Sequence, residues 1–229
     1  MINRPDSKKK SLLNYIMENG FFFFPVSVFV FLGTIYCIFS DKKQLILFLA
    51  DKRTPLFNEI FLWITRLGEE HIFIAVILIA LFFSYKKAIA LILVGLSTII
   101  FSFLTKLIFS QPRPFTLFKS IGEAEKLGQI AGYSFHDAFN SFPSGHTFSG
   151  FALFTTIALM TKPGIVHFGF AVAAISAGFS RIYLGQHFPC DVVFGAFLGI
   201  LTALLCYYLV LVHWLKNKKN KGLIGLFSK

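Results

Sequence analysis

Three separated clusters carry the residue types that phosphate chemistry needs. They are Lys106–Pro114 (KLIFSQPRP), Pro143–Thr147 (PSGHT) and Ser180–Asp191 (SRIYLGQHFPCD). His187 and Asp191 stand four residues apart. A carboxylate bonded to one imidazole nitrogen fixes the tautomer and leaves the other nitrogen free to attack. Pro189 lies between the two, so their spacing alone does not establish that contact. Attack by His187 on phosphorus would give a phosphohistidine. His146 would protonate the leaving oxygen and then deprotonate the water that releases phosphate. Lys106, Arg113 and Arg181 form a candidate phosphate clamp. Arginine offers paired donors and lysine a point charge, and both help most where charge develops on the transferring oxygens.

The alternatives differ from residue to residue. Lys106 has the strongest competing reading, a stem snorkelling to lipid headgroups. Arg113 is held between Pro112 and Pro114, which restrict its backbone and weaken that reading. Ser144 is a good helix N-cap after Pro143, and Gly145 lets a ligand approach the backbone. The free amides of such a helix start favour an anion, and His146 would face it from the first turn. A metal site made of His146, His187 and Asp191 is the competing chemistry. The surrounding cations oppose it, because they would repel a divalent ion.

The elements that must position these residues are apolar. The chain is 55% hydrophobic and 14% charged, with 31 phenylalanines, whereas soluble domains carry roughly 25% charged residues. Its apolar residues form long runs that suit lipid as solvent. The net charge of +11 does not indicate nucleic acid here: the cations flank apolar segments, and no recognition helix or zinc-finger pattern appears. Cys37, Cys190 and Cys206 form no close pair, no CxxC and no disulfide framework, so no redox or thiolate-metal role is read, and Cys37 and Cys206, inside apolar runs, read as small hydrophobes.

The runs predict about six transmembrane helices, at 20–40, 69–85, 88–109, 146–161, 164–184 and 191–214. The second has a short apolar core, His71 to Ser84, and needs its flanks to cross. The first follows Lys8, Lys9 and Lys10, lacks a clear small-x-small cleavage site, and reads as a retained helix. The boundaries predict a cytoplasmic segment 1–19, a catalytic transmembrane domain 20–215 and a basic cytoplasmic tail 216–229. With the N-terminus inside, the inner face receives Arg4, Lys8, Lys9, Lys10, Lys86, Lys87, Lys162, Lys216, Lys218, Lys219, Lys221 and Lys229. Lys42, Lys43, Lys52 and Arg53 on the outer side run against that pattern.

Residues 54–67 place Leu56, Phe57, Ile60, Phe61, Ile64 and Leu67 at helical spacing, with Trp63 beside them. This predicts a helix lying on the outer surface, packed on the bundle, or both. The loop at about 110–145 is the longest polar stretch and would shape a substrate entrance. His136 reads as a solvent-facing residue of that loop. His71, His167 and His213 read as structural or interfacial, and Glu69 and Glu70 as headgroup selectors or helix terminators.

This topology collects all three clusters on the outer face without any chemical assumption. Together they resemble the membrane members of the type 2 phosphatidic acid phosphatase (PAP2) superfamily, whose helical core is shared with vanadium haloperoxidases. The family pattern is Lys-x6-Arg-Pro, Pro-Ser-Gly-His and Ser-Arg-x5-His-x3-Asp, and the chain matches it fully. The resemblance spans about residues 55 to 215. It implies an all-α polytopic membrane protein. It also implies Lys106, Arg113, Ser144, Gly145 and Arg181 as phosphate ligands, His187 as nucleophile, Asp191 as its orienting group and His146 as acid/base. No cofactor or metal is expected.

The activity implied is hydrolysis of a lipid phosphate at the outer face of a bacterial cytoplasmic membrane. Undecaprenyl diphosphate, phosphatidylglycerophosphate, phosphatidic acid and lipid A are the candidate substrates, and membrane lipids the expected surroundings. Phosphoryl transfer to a lipid or sugar acceptor is one alternative. A nonenzymatic transporter or scaffold is the other, and it leaves the collected clusters without an explanation.

Overall fold

In the computed structural model, residues 11–215 and 221–224 are described. Arg4, Lys8, Lys9, Lys10, Lys216, Lys218, Lys219 and Lys229, assigned above to the inner face, lie outside them. The described chain is helical: α1 (Leu12–Glu18), α2 (Gly20–Phe39), α3 (Gln44–Asp51), α4 (Pro55–Ile64), α5 (Glu70–Phe83), α6 (Tyr85–Phe109), α7 (Pro114–Ser120), α8 (Gly145–Met160), α9 (Val166–Tyr183) and α10 (Pro189–Cys206). Short 3-10 turns cover Thr65–Gly68 and Ala124–Leu127, and a π-helical stretch, Tyr207–Trp214, prolongs α10.

Local sequence sets the starts. Thr54, Ser84 and Ser144 cap α4, α6 and α8 by accepting from the amides of Phe57, Lys87 and Thr147. Proline opens α4, α7 and α10, where its missing N–H costs nothing.

The expectation of about six membrane spans is corrected by the structure. Among the described residues, four helical stretches are long and apolar enough to cross a membrane: α2, Tyr85–Ser120 (α6 and α7), α9, and α10 with its extension to Val212. The other two expected spans are α5, with 14 residues, and α8, with 16. At 1.5 Å per residue these reach about 21 and 24 Å, short of a hydrocarbon layer of roughly 30 Å. α5 is apolar throughout and lacks only length. α8 owes its apolar character to its neighbours, because Phe148, Phe151, Ala152, Leu153 and seven further residues of it are buried in the bundle. An apolar run does not by itself distinguish lipid from protein as its solvent.

α8 is the axis around which α6, α9 and α10 pack. Glycines let two backbones meet there. A Cβ on Gly199 would stand 2.7 Å from the Phe148 carbonyl oxygen, and one on Gly195 2.8 Å from that of Ser144. The lipid-facing surface is apolar: Phe24, Phe31 and Phe39 on α2, Ile99, Phe103 and Leu107 on α6, and Phe197 and Leu205 on α10 are all exposed.

At one end of the bundle, the Lys87 ammonium donates to the Met160 carbonyl at 2.7 Å, and the amide of Tyr85 donates to the carbonyl of Lys221 at 2.9 Å. The three chemical clusters lie at the other end. There, residues 54–67 form α4 and the 3-10 turn. The helix is both exposed, through Leu56, Phe57 and Trp63, and packed, through Phe61 stacked 4.1 Å from Tyr183. Arg53 is a structural clamp. It donates to the Tyr183 carbonyl at 3.2 Å and 2.6 Å and to the Leu127 carbonyl, tying the 110–145 loop to the end of α9.

Candidate active site

Each cluster reaches the same end by a different route. Lys106 occupies the last turn of α6. The chain then breaks at Ser110, which takes a left-handed conformation with φ of 40°, and Arg113 caps α7. Backbone bonds stitch the clusters together. The Arg113 amide donates to the Ala138 carbonyl at 2.9 Å, Ser141 to Gln111 at 3.0 Å, and Ser144 to Asp191 at 3.0 Å. The last of these joins the start of α8 to the start of α10. Arg181 lies in the last turn of α9, and its carbonyl accepts from the amides of Gln186 and His187, folding the connecting loop back over the site.

The side chains converge. An atom in the Cβ position of Gly145 would sit 3.3 Å from the Lys106 ammonium, so the missing side chain keeps the space beside that cation open. Arg113 donates to Asn140 Oδ1 at 2.7 Å and to Gln186 Oε1 at 2.8 Å, which fixes its plane. Arg181 is 4% exposed. It donates to Thr65 Oγ1 at 2.7 Å, while its Nε has no partner among the described residues. A buried donor left unpaired costs about 1–3 kcal/mol, so this one is primed for an acceptor.

Both histidines titrate low. Burial pushes His146 down to about 2, helped by Arg181, His187, Arg113 and Lys106. Burial also lowers His187, to about 4, against the opposing pull of Asp191. Each histidine therefore feels the other members of the cluster and is neutral at neutral pH.

His187 and Asp191 meet as a loose pair, with Nδ1 3.6 Å from Oδ2. That separation exceeds a hydrogen bond. Ser141 fills the gap: its hydroxyl donates to Asp191 Oδ2 at 2.5 Å and lies 3.5 Å from His187 Nδ1. The same carboxylate oxygen accepts from the Phe188 amide at 2.9 Å and closes the first turn of α10. With its proton on Nδ1, His187 presents a lone pair on Nε2. Ser144 acts at a different level. Its Oγ accepts from the Thr147 hydroxyl at 2.8 Å and the Thr147 amide at 3.4 Å, so the side chain builds the helix start.

Comparison with known proteins shows the family. The PAP2 superfamily model matches residues 86–215, more than half of the chain. The chain belongs to the PAP2 superfamily. It is 32% identical over 165 residues to phosphatidylglycerophosphatase B of Bacillus subtilis, covering 67% of this chain and 75% of that one. It is 40% identical over 80 residues to lipid A 1-phosphatase of Rhizobium johnstonii, a match that spans 32% of that relative and 33% of this chain. The crystal structure of a transmembrane PAP2-type phosphatidylglycerolphosphate phosphatase from Bacillus subtilis superposes with a TM-score of 0.59 at 25% identity, covering 83% of this chain and 94% of that one.

All eight residues singled out in the sequence lie at this PAP2 site or hold its walls. Four further ones were not anticipated. Ser141 sits just before the PSGH turn, and Gln186 lies inside the third cluster, 1% exposed and next to the nucleophile candidate. A polar side chain next to the motif histidine or the PSGH turn was the only signal either gave. Thr65 and Asn140 gave none, because they reach the arginines through the fold. His136, expected in solvent, is exposed, but its Nδ1 lies 2.5 Å from the Gln186 oxygen that holds Arg113. His167 is structural as expected, buried with its Nε2 2.9 Å from Thr161 Oγ1.

Proposed function

We propose that this PAP2 protein hydrolyses a lipid phosphate monoester or diphosphate at the outer membrane–water boundary, without a metal, through a phosphohistidine. The observation that carries the reading is the convergence of Lys106, Arg113 and Arg181 on two neutral histidines, His187 buried and His146 partly buried, with an Arg181 donor unpaired among the described residues. Such a cradle fits a phosphoryl group, whose oxygens gain charge during transfer. His187 Nε2 attacks phosphorus while His146 protonates the leaving oxygen. His146 then takes a proton from water, which attacks the phosphohistidine and frees His187.

The lipid character of the substrate is supported by the apolar helices around the site and by the phospholipid and lipid A names of the relatives. Cations at the opposite end of the bundle support an outward-facing site, with both termini in the cytoplasm. Phosphate release from purified phosphatidylglycerophosphate, phosphatidic acid, undecaprenyl diphosphate and lipid A in liposomes tests the reading, with His187→Ala as control. Release should persist after metals are stripped and chelated, and an acid-labile phosphoenzyme should accumulate only when His187 is present. Equal turnover by His187→Ala would overturn the mechanism, and an absolute metal requirement would overturn the role given to the cations.

A further inference from the structure

The sequence separates Cys37 from Cys190 by most of the chain, and the expectation was of no pair. In the fold they meet. Cys37 lies in the last turn of α2 and Cys190 in the first turn of α10, and both line the same cleft. The register of the two helices explains the meeting. A Cβ on Gly33 would stand 2.4 Å from Val193 Cγ2, so α2 and α10 touch closely at that point. Moving one turn toward the outer end leads from Gly33 to Cys37 on α2, and from Val193 to Cys190 on antiparallel α10. Both thiols line one apolar cleft of about 280 Å³ with Val30, Thr34 and Phe194, and both are half-buried. Cys206 lies elsewhere, 3.8 Å from Ser97 Oγ.

We propose that Cys37 and Cys190 are a modification site, closed to a disulfide by a small or protein-borne disulfide acting as oxidant. One cysteine thiolate attacks the external disulfide, forming a mixed disulfide and expelling one external thiolate. The second cysteine thiolate then attacks the protein sulfur of that mixed disulfide and expels the other. The cysteines lose two electrons and two protons in all, and the oxidant leaves as two thiols. The bond pins the first transmembrane helix to the helix that carries Asp191, one residue after Cys190. An outward orientation would place it where disulfides persist.

The full chain, reduced and purified in detergent, is incubated with glutathione disulfide, then unfolded and treated with a maleimide mass tag. One tag, on Cys206, is expected after oxidation and three after reduction. The non-reduced digest should contain a Cys37–Cys190 peptide pair lighter by two hydrogens. Oxidation should also raise the melting temperature by several degrees in the native chain and in Cys206→Ser, and should not do so in Cys37→Ser. Should Cys37→Ser fail to fold, the first two proteins carry the test alone. Three taggable thiols after oxidation, glutathione adducts without a cross-link, or a bond to Cys206 would each overturn the proposal. None of these readouts depends on phosphatase activity.

Discussion

The same cations lower both His146 and His187, and Asp191 opposes them at His187 alone. His187, held by Asp191 against the effect of burial, stays neutral until pH falls to about 4. The acid limb of kcat/KM should therefore bend near pH 4 rather than near 6.5, and Asp191→Asn should move the bend lower still, because the group that favours the imidazolium is gone. His146, pushed to about 2 by burial and then by Arg181, His187, Arg113 and Lys106, is not an imidazolium at neutral pH. A bound phosphate dianion offsets those cations and should raise it. Phosphate binding in weak buffer should thus draw in more protons with the native chain than with His146→Ala, and equal uptake would count against His146 as the acid. Ser141 sits between Asp191 and His187, and hydrogen bonds to charged groups contribute about 1.5–3 kcal/mol. Ser141→Ala should lower kcat about 10- to 100-fold with little change in KM, and a KM effect alone would show that it does not position the nucleophile. The clamp and both histidines were legible in sequence because a motif fixes their spacing. Ser141, Gln186 and Thr65 were not, because their roles depend on loops folding back.

The helices aim these residues through close backbone contacts. Gly68, in the turn after α4, would carry a Cβ only 2.5 Å from the His146 carbonyl oxygen, and Gly195 one 2.8 Å from that of Ser144. Both carbonyls belong to the start of α8, so either substitution shifts the anion-facing end of that helix. Gly68→Ala and Gly195→Ala should reduce phosphate release at least about tenfold, since overpacking costs typically 1–3 kcal/mol. Gly199→Ala meets Phe148 O at 2.7 Å, one turn further from the chemistry, and should lower thermal stability more than turnover. Melting temperature and kcat measured on all three would separate these effects, and wild-type activity in Gly68→Ala would remove the turn from the site's support. The existence of most helices could be read from apolar periodicity and caps. The nature of α8 could not, because an apolar helix buried among other helices has the same composition as one facing lipid.

The whole molecule sorts its charges by end, and the sorting becomes clearer once partners are counted. Cations at the end that carries the site are largely committed. Arg53 holds two carbonyls, Lys119 pairs with Asp137 at 2.6 Å, Lys126 with Glu123 at 2.5 Å, and Lys106, Arg113 and Arg181 face the site. Of the residues that ran against the charge pattern in sequence, Lys42, Lys43, Lys52 and Arg53, the fold commits Arg53 to two carbonyls. Lys86, Lys87 and Lys162 remain beside short turns at the opposite end, where positive charge sets orientation. That end should face the cytoplasm. With the three native cysteines changed to serine, a single cysteine is placed at exposed Glu125 or at exposed Lys162. Intact cells are then treated with a membrane-impermeant maleimide. Glu125→Cys should label at once, and Lys162→Cys only after the membrane is opened. The reverse pattern would put the site on the cytoplasmic face, where its lipid phosphates would have to come from the inner leaflet.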